Sequence, residues 1–437
     1  MRYRARAVLG ALLCTSVLAP SAAAAPATPP LTRLLQTRPA LASLAGAARS
    51  PAARKLIGEA DIELAAATAP ALWIDPGHAV APAYGASVFA DARRALLDLE
   101  RASASAAPAA GLAAAETSIL AADRSLAIGQ ILQAAGGNGG LLARAGGMIL
   151  SGDRWAVTSR MDLGAVQYGA AWGDAFRAVT ALVLSRTTFV PGAVVGRAAQ
   201  AALRNPAIAP AGVRPLSGRR PLVRDGKPEL LFVGLESCRV CAVERWGLVV
   251  ALSRFGSFSN LHLSQSATTS PPVVRSFTFA GSRYASPYVA FTPIELSSNV
   301  PRPGGGGYQP LGRLTAAQRA LLTALDPTAT SPFVDVANRF VDAGATVAPE
   351  FLAGSTWGAL ASSLRGSRSA SGQAIAATAE VLTAELCRAT GGAPASVCGA
   401  SIVRDYGVRL ARFGGRGAGC PVRWPRAASF RRRPPRG

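Results

Sequence analysis

The chain has 437 residues, of which 50% are hydrophobic and 16% are charged. This length suffices for two or three domains with buried cores, and the composition excludes an intrinsically disordered protein. The formal net charge is +22, but nearly all basic residues are arginine, and eight of them lie in residues 411–437. That stretch carries no recognisable nucleic-acid reader motif. We therefore predict a basic disordered tail at 411–437 and expect no nucleic-acid partner.

Residues 1–25 have the pattern of a secretory signal peptide. Three arginines, Arg2, Arg4 and Arg6, precede an apolar run and then a series of small residues. The apolar run is short for a membrane span, although an uncleaved anchor is the alternative. We expect an exported protein, in the cell envelope or secreted, where disulfides persist.

The amino-acid composition of the chain then changes twice. Residues 26–50 are rich in proline and alanine and predict a loose linker. Residues 51–207 are rich in alanine and leucine at helical spacing, which predicts an all-α region with helices near 116–135, 141–150 and 163–184. After a Pro/Gly/Arg stretch, residues 213–400 alternate between short apolar runs and helical patterns. This second half predicts an α/β domain with an insertion between residues 266 and 330.

The predicted elements of the α/β domain follow one another in the chain. Strands are expected near 229–235, 260–266, 276–280 and 288–295, and two more within 332–341 that turn at Ala337-Asn338. Helices are expected near 238–255, 315–325, 349–364 and 374–387.

A Cys-x-x-Cys pair, Cys238 and Cys241, stands between a predicted buried strand and a predicted helix. This is the pattern of thiol–disulfide exchange. The unpaired N–H groups and the dipole of a helix N-terminus stabilise a thiolate at the first cysteine, which attacks, while the second resolves the mixed disulfide. A structural Cys238–Cys241 disulfide in a non-catalytic binding or scaffold protein is the alternative. The only histidines, His78 and His262, lie apart from the cysteines, so we expect no metal and no other cofactor.

Four further residues could serve such a site: Ser331, Pro332, Glu236 and Glu244. If the Ser331–Pro332 peptide is cis, the backbone of Ser331 is exposed beside the cysteine pair and can hold a substrate backbone; a trans proline at a strand start is the commoner case. Glu236 and Glu244 flank the pair as candidate proton acceptors for Cys241, or as surface carboxylates near a helix N-terminus.

Residues from about 213 to 398 resemble a thioredoxin-like family known as domain of unknown function 929. The stretches that carry the resemblance are Gly226–Glu229, Cys238–Trp246, Leu252–Leu261, Ser276–Phe279, Leu314–Gln318, Pro332–Asp335 and Cys387–Cys398. The resemblance implies a thioredoxin-like α/β fold, Cys238 and Cys241 as the redox pair, and Pro332 in the cis-proline position. The family pattern more often has Pro-Tyr between the cysteines, where this chain has Arg239-Val240.

Three cysteines lie beyond this pair. Cys387 and Cys398 flank a short Gly/Pro/Ala loop, and we predict that they form a structural disulfide; a second redox pair is the alternative. Cys420 is then left over as a free thiol or an intermolecular link. The sequence therefore predicts an exported thiol–disulfide oxidoreductase whose partners are cysteine-containing exported proteins and an unknown membrane redox protein.

Overall fold

A computed structural model describes residues 28–75, 77–105, 108–269, 271–302, 304–414 and 419–421. The predicted signal peptide at 1–25 lies outside the described residues, as does most of the predicted tail at 411–437. Within the described residues, no single helix is long and apolar enough to cross a membrane. The helices Met161–Thr188 and Gly192–Ala202 reach that length and hydropathy together, but the chain bends by 77° between them.

The first half of the described chain is helical. Its helices are α1 (Pro30–Ala47), α2 (Pro51–Ala67), α3 (Gly85–Ser103), α4 (Ala109–Gln133), α5 (Gly139–Trp155), α6 (Met161–Thr188) and α7 (Gly192–Ala202). Two short strands, β1 (Trp73–Ile74) and β2 (Ala79–Val80), pair between α2 and α3. Two of these helices begin at a capping side chain: Ser50 caps α2 ahead of Pro51, and Asn138 caps α5.

The prediction of a loose linker at 26–50 is wrong. Helix α1 occupies most of it, with Leu34 and Leu41 fully buried against the neighbouring helices. Pro30 lies at the first position of the helix, where a missing N–H costs nothing. The predicted end of a helix at 150 is also wrong, because α5 continues through Gly152, whose missing Cβ leaves room for the ring of Tyr168.

The second half contains the central sheet. Its strands are β3 (Val213–Pro215), β4 (Val223–Arg224), β5 (Lys227–Gly234), β10 (Ala290–Glu295), β14 (Phe333–Val336) and β15 (Phe340–Ala343). The strand order is β10-β5-β14-β15-β3, and β4 pairs with the start of β5. β10 runs parallel to β5, and the pairs β5–β14, β14–β15 and β15–β3 are antiparallel.

Helices cover both faces of this sheet. The helices of the second half are α8 (Arg239–Leu252), α9 (Ala316–Leu325), α10 (Trp357–Ser363), α11 (Ala370–Ala389), α12 (Ala395–Cys398) and α13 (Ser401–Gly407). Leu230 and Phe232 of β5 pack on the side of α8 and α11, whereas Leu231 and Val233 pack on the side of α9. A strand buried on both faces explains the uninterrupted apolar run in β5.

The parallel β5–α8–β10 unit followed by the antiparallel β14–β15 hairpin and α11 is the arrangement of a thioredoxin-like domain. The predicted turn at Ala337-Asn338 is confirmed, and both residues adopt positive φ. The predicted helix at 349–364 is only partly correct, because a short 3-10 turn at Pro349–Phe351 precedes α10.

The predicted insertion at 266–330 has the wrong bounds, because β10 of the central sheet and helix α9 lie within it. Small strands are instead added in two places, between α8 and β10 and between β10 and α9. They are β6 (Ser257–Ser259), β7 (His262–Gln265), β8 (Arg275–Thr278), β9 (Arg283–Ala285), β11 (Ser297–Pro301) and β12 (Tyr308–Pro310). Two more short strands, β13 (Thr330–Ser331) and β16 (Cys420–Pro421), pair with each other beside the central sheet.

Candidate redox site

Cys238 is the N-cap of α8, one short loop after the buried end of β5. Its backbone is extended, and the N–H of Cys241 donates to its sulfur across 3.4 Å. Cys241 lies one turn further along α8 and is fully buried. A helix N-terminus stabilises a negative charge on such a sulfur, because its first N–H groups have no partner in the helix. The structure thus brings the two predicted cysteines together at the expected strand-to-helix junction.

Cys238 is bonded to Cys420, and Cys241 is a free thiol, so the alternative of a structural Cys238–Cys241 disulfide is wrong. The expectation that Cys420 is free or linked to another molecule is therefore wrong, as its partner lies in the same chain, 182 residues earlier. An attacking cysteine has to reach its substrate, but in this disulfide-bonded state Cys238 is only 4% exposed. Its cover includes Cys420, which packs with Val240 and Ala345 around the site.

Ser331 lies directly against the cysteine pair, and Pro332 is the next residue in the chain. The Ser331–Pro332 peptide is cis. The hydroxyl oxygen of Ser331 lies 3.1 Å from the sulfur of Cys241, and its carbonyl oxygen lies 3.9 Å from the sulfur of Cys238. Pro332 is followed at once by β14, which pairs in the central sheet with β5, the strand that leads to Cys238.

Burial raises the pKa of the Cys241 thiol to about 11, while the charge of Arg245 and the hydroxyl of Ser331 oppose this effect. Arg245 is itself buried and makes two hydrogen bonds, of 2.8 and 2.6 Å, to the carboxylate of Glu295. It also donates to the carbonyl of Leu235 in the loop before Cys238. A buried, paired cation thus lies behind the reduced sulfur.

Glu236 is buried beside the loop, which excludes the expectation of a surface carboxylate. It accepts hydrogen bonds from the hydroxyl of Thr278 and from the N–H of Asn299. Burial raises its pKa, against the effect of the Thr278 hydroxyl and of the charge on Arg245. No hydrogen bond joins it to Cys241 within the part of the chain that the structure describes.

Glu244 lies on α8 three residues after Cys241, is fully buried, and is no surface carboxylate either. Its carboxylate accepts from the N–H and from the hydroxyl of Thr346, at 2.9 and 3.1 Å. Burial raises its pKa to about 7. Asp342 and Glu385 lie nearby, and burial raises the pKa of both. The charge of Glu244 adds to this for each, and the charge of Asp342 adds to it for Glu385. As with Glu236, the described residues show no hydrogen bond from Glu244 to Cys241.

Sequence reasoning missed two participants, although each left a signal. Arg245 follows Cys241 by four residues on a predicted helix, and this spacing places two side chains on one face. Cys420 was the odd cysteine of an expected exported protein. The predicted Cys387–Cys398 disulfide is present, between the end of α11 and α12. Among the described residues, no group of three or more His, Cys, Asp or Glu side chains could hold a metal ion.

The site thus belongs to a thioredoxin-like domain. A Cys-x-x-Cys pair lies at the start of α8, and the Ser331-Pro332 segment lies beside it. Residues 217–302 match the family model described as Domain of unknown function (DUF929), so the chain carries that domain there. The match includes Cys238 and Cys241 and ends before Ser331 and Pro332. No curated protein and no solved structure matches the chain.

Proposed function

We propose that this protein is an exported thiol–disulfide oxidoreductase in which Cys238 attacks and Cys241 resolves. The observation that carries the proposal is the position of the two sulfurs: one caps α8, and the other follows one turn later against Ser331. The helix N-terminus favours a thiolate on Cys238 once its bond to Cys420 is open.

The exchange conserves atoms and electrons. The Cys238 thiolate attacks one sulfur of a substrate disulfide, and the other substrate sulfur leaves as a thiolate that takes up a proton. Cys241 then loses its proton and attacks the Cys238 sulfur, which releases the second substrate thiol and leaves a Cys238–Cys241 disulfide. The substrate gains two electrons, and the enzyme pair loses them. The reverse sequence oxidises a substrate dithiol.

The chemistry requires no cofactor beyond the cysteines. The partners on this proposal are cysteine-containing exported proteins and a membrane redox protein that restores the starting state of the pair. Ser331 and Pro332 hold the substrate backbone, and the closeness of Ser331 to both sulfurs supports this role.

One observation favours a second candidate, a non-catalytic secreted binding or scaffold protein. Cys238 is buried and bonded to Cys420, as expected of a structural disulfide that only attaches the C-terminal segment to the domain. In that case the helical half carries the binding function, and Cys241 is an unreactive buried thiol.

Turnover of a fluorescent disulfide peptide in the presence of excess dithiothreitol separates the two candidates. We expect the full-length protein to accelerate reduction of the peptide and Cys238→Ser to abolish the acceleration. Cys241→Ser, first reduced and then freed of dithiothreitol, should accumulate a mixed disulfide with the peptide. The double variant Cys387→Ser/Cys398→Ser removes two cysteines away from the site and is expected to keep the activity. Turnover of the full-length protein equal to that of dithiothreitol alone would support the scaffold.

A further inference from the structure

The segment that carries Cys420 lies in the site as an added strand. Cys420 pairs with Ser331, and Pro421 pairs with Thr330, in antiparallel register. The paired residues are the two that immediately precede Pro332. Main-chain pairing of an extended segment with an exposed strand is a general mode of peptide recognition, in which backbone hydrogen bonds give affinity whatever the side chains are. The C-terminal segment therefore uses the edge that a bound peptide would use.

The sulfur chemistry agrees with this placement. Cys420 is bonded to Cys238, the attacking cysteine of the proposed function, while Cys241 stays reduced. This is the bonding pattern of a mixed disulfide between an enzyme and its substrate, with the resolving thiol waiting one turn away. A purely structural disulfide does not need a second, unbonded cysteine beside it. Here the backbone nitrogen of the unbonded Cys241 lies 3.4 Å from the sulfur of Cys238.

The fit of the segment depends on close backbone contact. A Cβ atom added at Gly419 would overlap the Cγ2 atom of Thr330, so the chain approaches β13 as closely as glycine allows. By contrast, a Cβ atom at Gly414, earlier in the same tail, would meet nothing closer than the carbonyl oxygen of Ala411 at 3.8 Å. The two glycines thus offer a matched pair of substitutions.

We propose that residues 419–421 are a built-in substrate mimic and that Cys420 is a third redox-active cysteine. The proposal rests on the proposed function and names its substrate class: extended segments that pair with Thr330 and Ser331 in the same antiparallel register and present a cysteine opposite Ser331. The mimic closes the site until its disulfide is exchanged.

Exchange within the chain needs no outside reagent. Cys241 loses its proton and attacks the sulfur of Cys238, the Cys238–Cys241 bond forms, and the Cys238–Cys420 bond breaks. Cys420 leaves as a thiolate and takes up the proton that Cys241 lost, so nothing is oxidised or reduced overall. Since burial raises the pKa of Cys241 to about 11, few molecules carry the attacking thiolate at neutral pH, which keeps the closed form long-lived.

A disulfide map of the full-length protein tests the closed form. Free thiols are blocked with N-ethylmaleimide before digestion. Trypsin cleaves after Arg239, so Cys238 and Cys241 fall in separate peptides, 225–239 and 240–245, while Cys420 falls in 417–423. We expect 225–239 linked to 417–423, and a Cys241 that is alkylated only after unfolding. A link between 225–239 and 240–245, with an alkylated Cys420, would overturn the proposal.

Substitutions test the mimicry. Gly419→Ala should lower the fraction of the Cys238–Cys420 bond at least fivefold, whereas Gly414→Ala should leave it unchanged. Cys420→Ser should raise kcat/KM for the disulfide peptide at least threefold, because the mimic no longer competes. Unchanged or lower kcat/KM in Cys420→Ser, with the full-length protein active, would refute the mimic and leave the proposed function standing. If both proteins are inactive and the 225–239 to 417–423 link is present, the proposed function fails instead.

Discussion

The hydroxyl oxygen of Ser331 lies 3.1 Å from the sulfur of Cys241, although the two residues are 90 positions apart in the chain. This contact joins the strand before β14 to the first turn of α8. It places a hydrogen-bond donor on the one sulfur of the site that is reduced, and it lowers the pKa that burial raises.

Ser331→Ala should therefore slow the resolving step. Without the hydroxyl, the Cys241 thiolate loses a hydrogen bond, its pKa rises further, and its attack on Cys238 slows about threefold to tenfold, on the order of 1 kcal/mol. The measurement is the release of a fluorescent thiol from its mixed disulfide with Cys238, in a Cys420→Ser background. Ser253→Ala, at the other end of α8, is the control; an equal slowing in both variants would contradict the assigned role.

Arg245 should be required for folding stability as well as for the site. Arg245→Met leaves the carboxylate of Glu295 buried without a partner, which costs about 3–5 kcal/mol in the free energy of unfolding. Urea denaturation measures this loss. Replacing both partners, by Arg245→Met with Glu295→Leu, should recover most of it, since no charge then stays buried.

An exposed ion pair provides the comparison for Arg245. Lys55 and Glu59 lie 3.6 Å apart on the surface of α2, and the Lys55 side chain is 77% exposed. Lys55→Met should change the free energy of unfolding by less than about 0.5 kcal/mol, because water screens such pairs. A loss in Arg245→Met no larger than this would mean that water reaches the pair in solution.

Glu244 predicts a pH dependence of stability. Burial raises its pKa from 4.5 to about 7, so the folded protein binds this proton more tightly than the unfolded chain does. The stabilisation is complete below pH 4.5 and is lost as the pH rises to about 7. Asp342 and Glu385 face Glu244 and add to the same trend, since the pKa of each is raised.

Glu244→Gln should flatten this dependence. The amide oxygen can accept from the N–H of Thr346 while the amide NH2 donates to its hydroxyl oxygen, and the amide cannot ionise. The fall in unfolding free energy between pH 4.5 and 7 should therefore shrink by up to about 3 kcal/mol. Urea denaturation at several pH values measures it. Asp405→Asn, at an exposed position of α13, should leave the slope unchanged. Identical slopes in the native protein and Glu244→Gln would contradict the burial of this charge.

The Cys387–Cys398 disulfide should stabilise the fold without serving the site. It closes a loop with a sequence separation of 11, which corresponds to about 3 kcal/mol in the chain-entropy model. Cys387→Ser/Cys398→Ser should lower the free energy of unfolding by about that amount, as measured by urea denaturation, while kcat/KM for the disulfide peptide stays the same. A large loss of kcat/KM below the unfolding transition would instead support a second redox pair.

Much of the thioredoxin-like domain was predictable from local patterns. The apolar run of β5, the capping box of Thr315 and Gln318 at α9, and the turn at Ala337-Asn338 each depend on a few consecutive residues. The position of Cys238 at the start of α8 is equally local, because the strand, the short loop and the helix follow one another in the chain. Helix α1 was missed because its stability comes from burying Leu34 and Leu41 against other helices.

The sequence by itself determined the cysteine spacing, the strand-to-helix junction and the class of fold, since these follow from residues within a few positions of each other. Only the tertiary structure decided which cysteine Cys238 bonds, which carboxyls are buried, and that Arg245 and Ser331 act on Cys241. Disulfide partners and pKa shifts depend on distances between atoms from remote parts of the chain, and folding alone sets those distances.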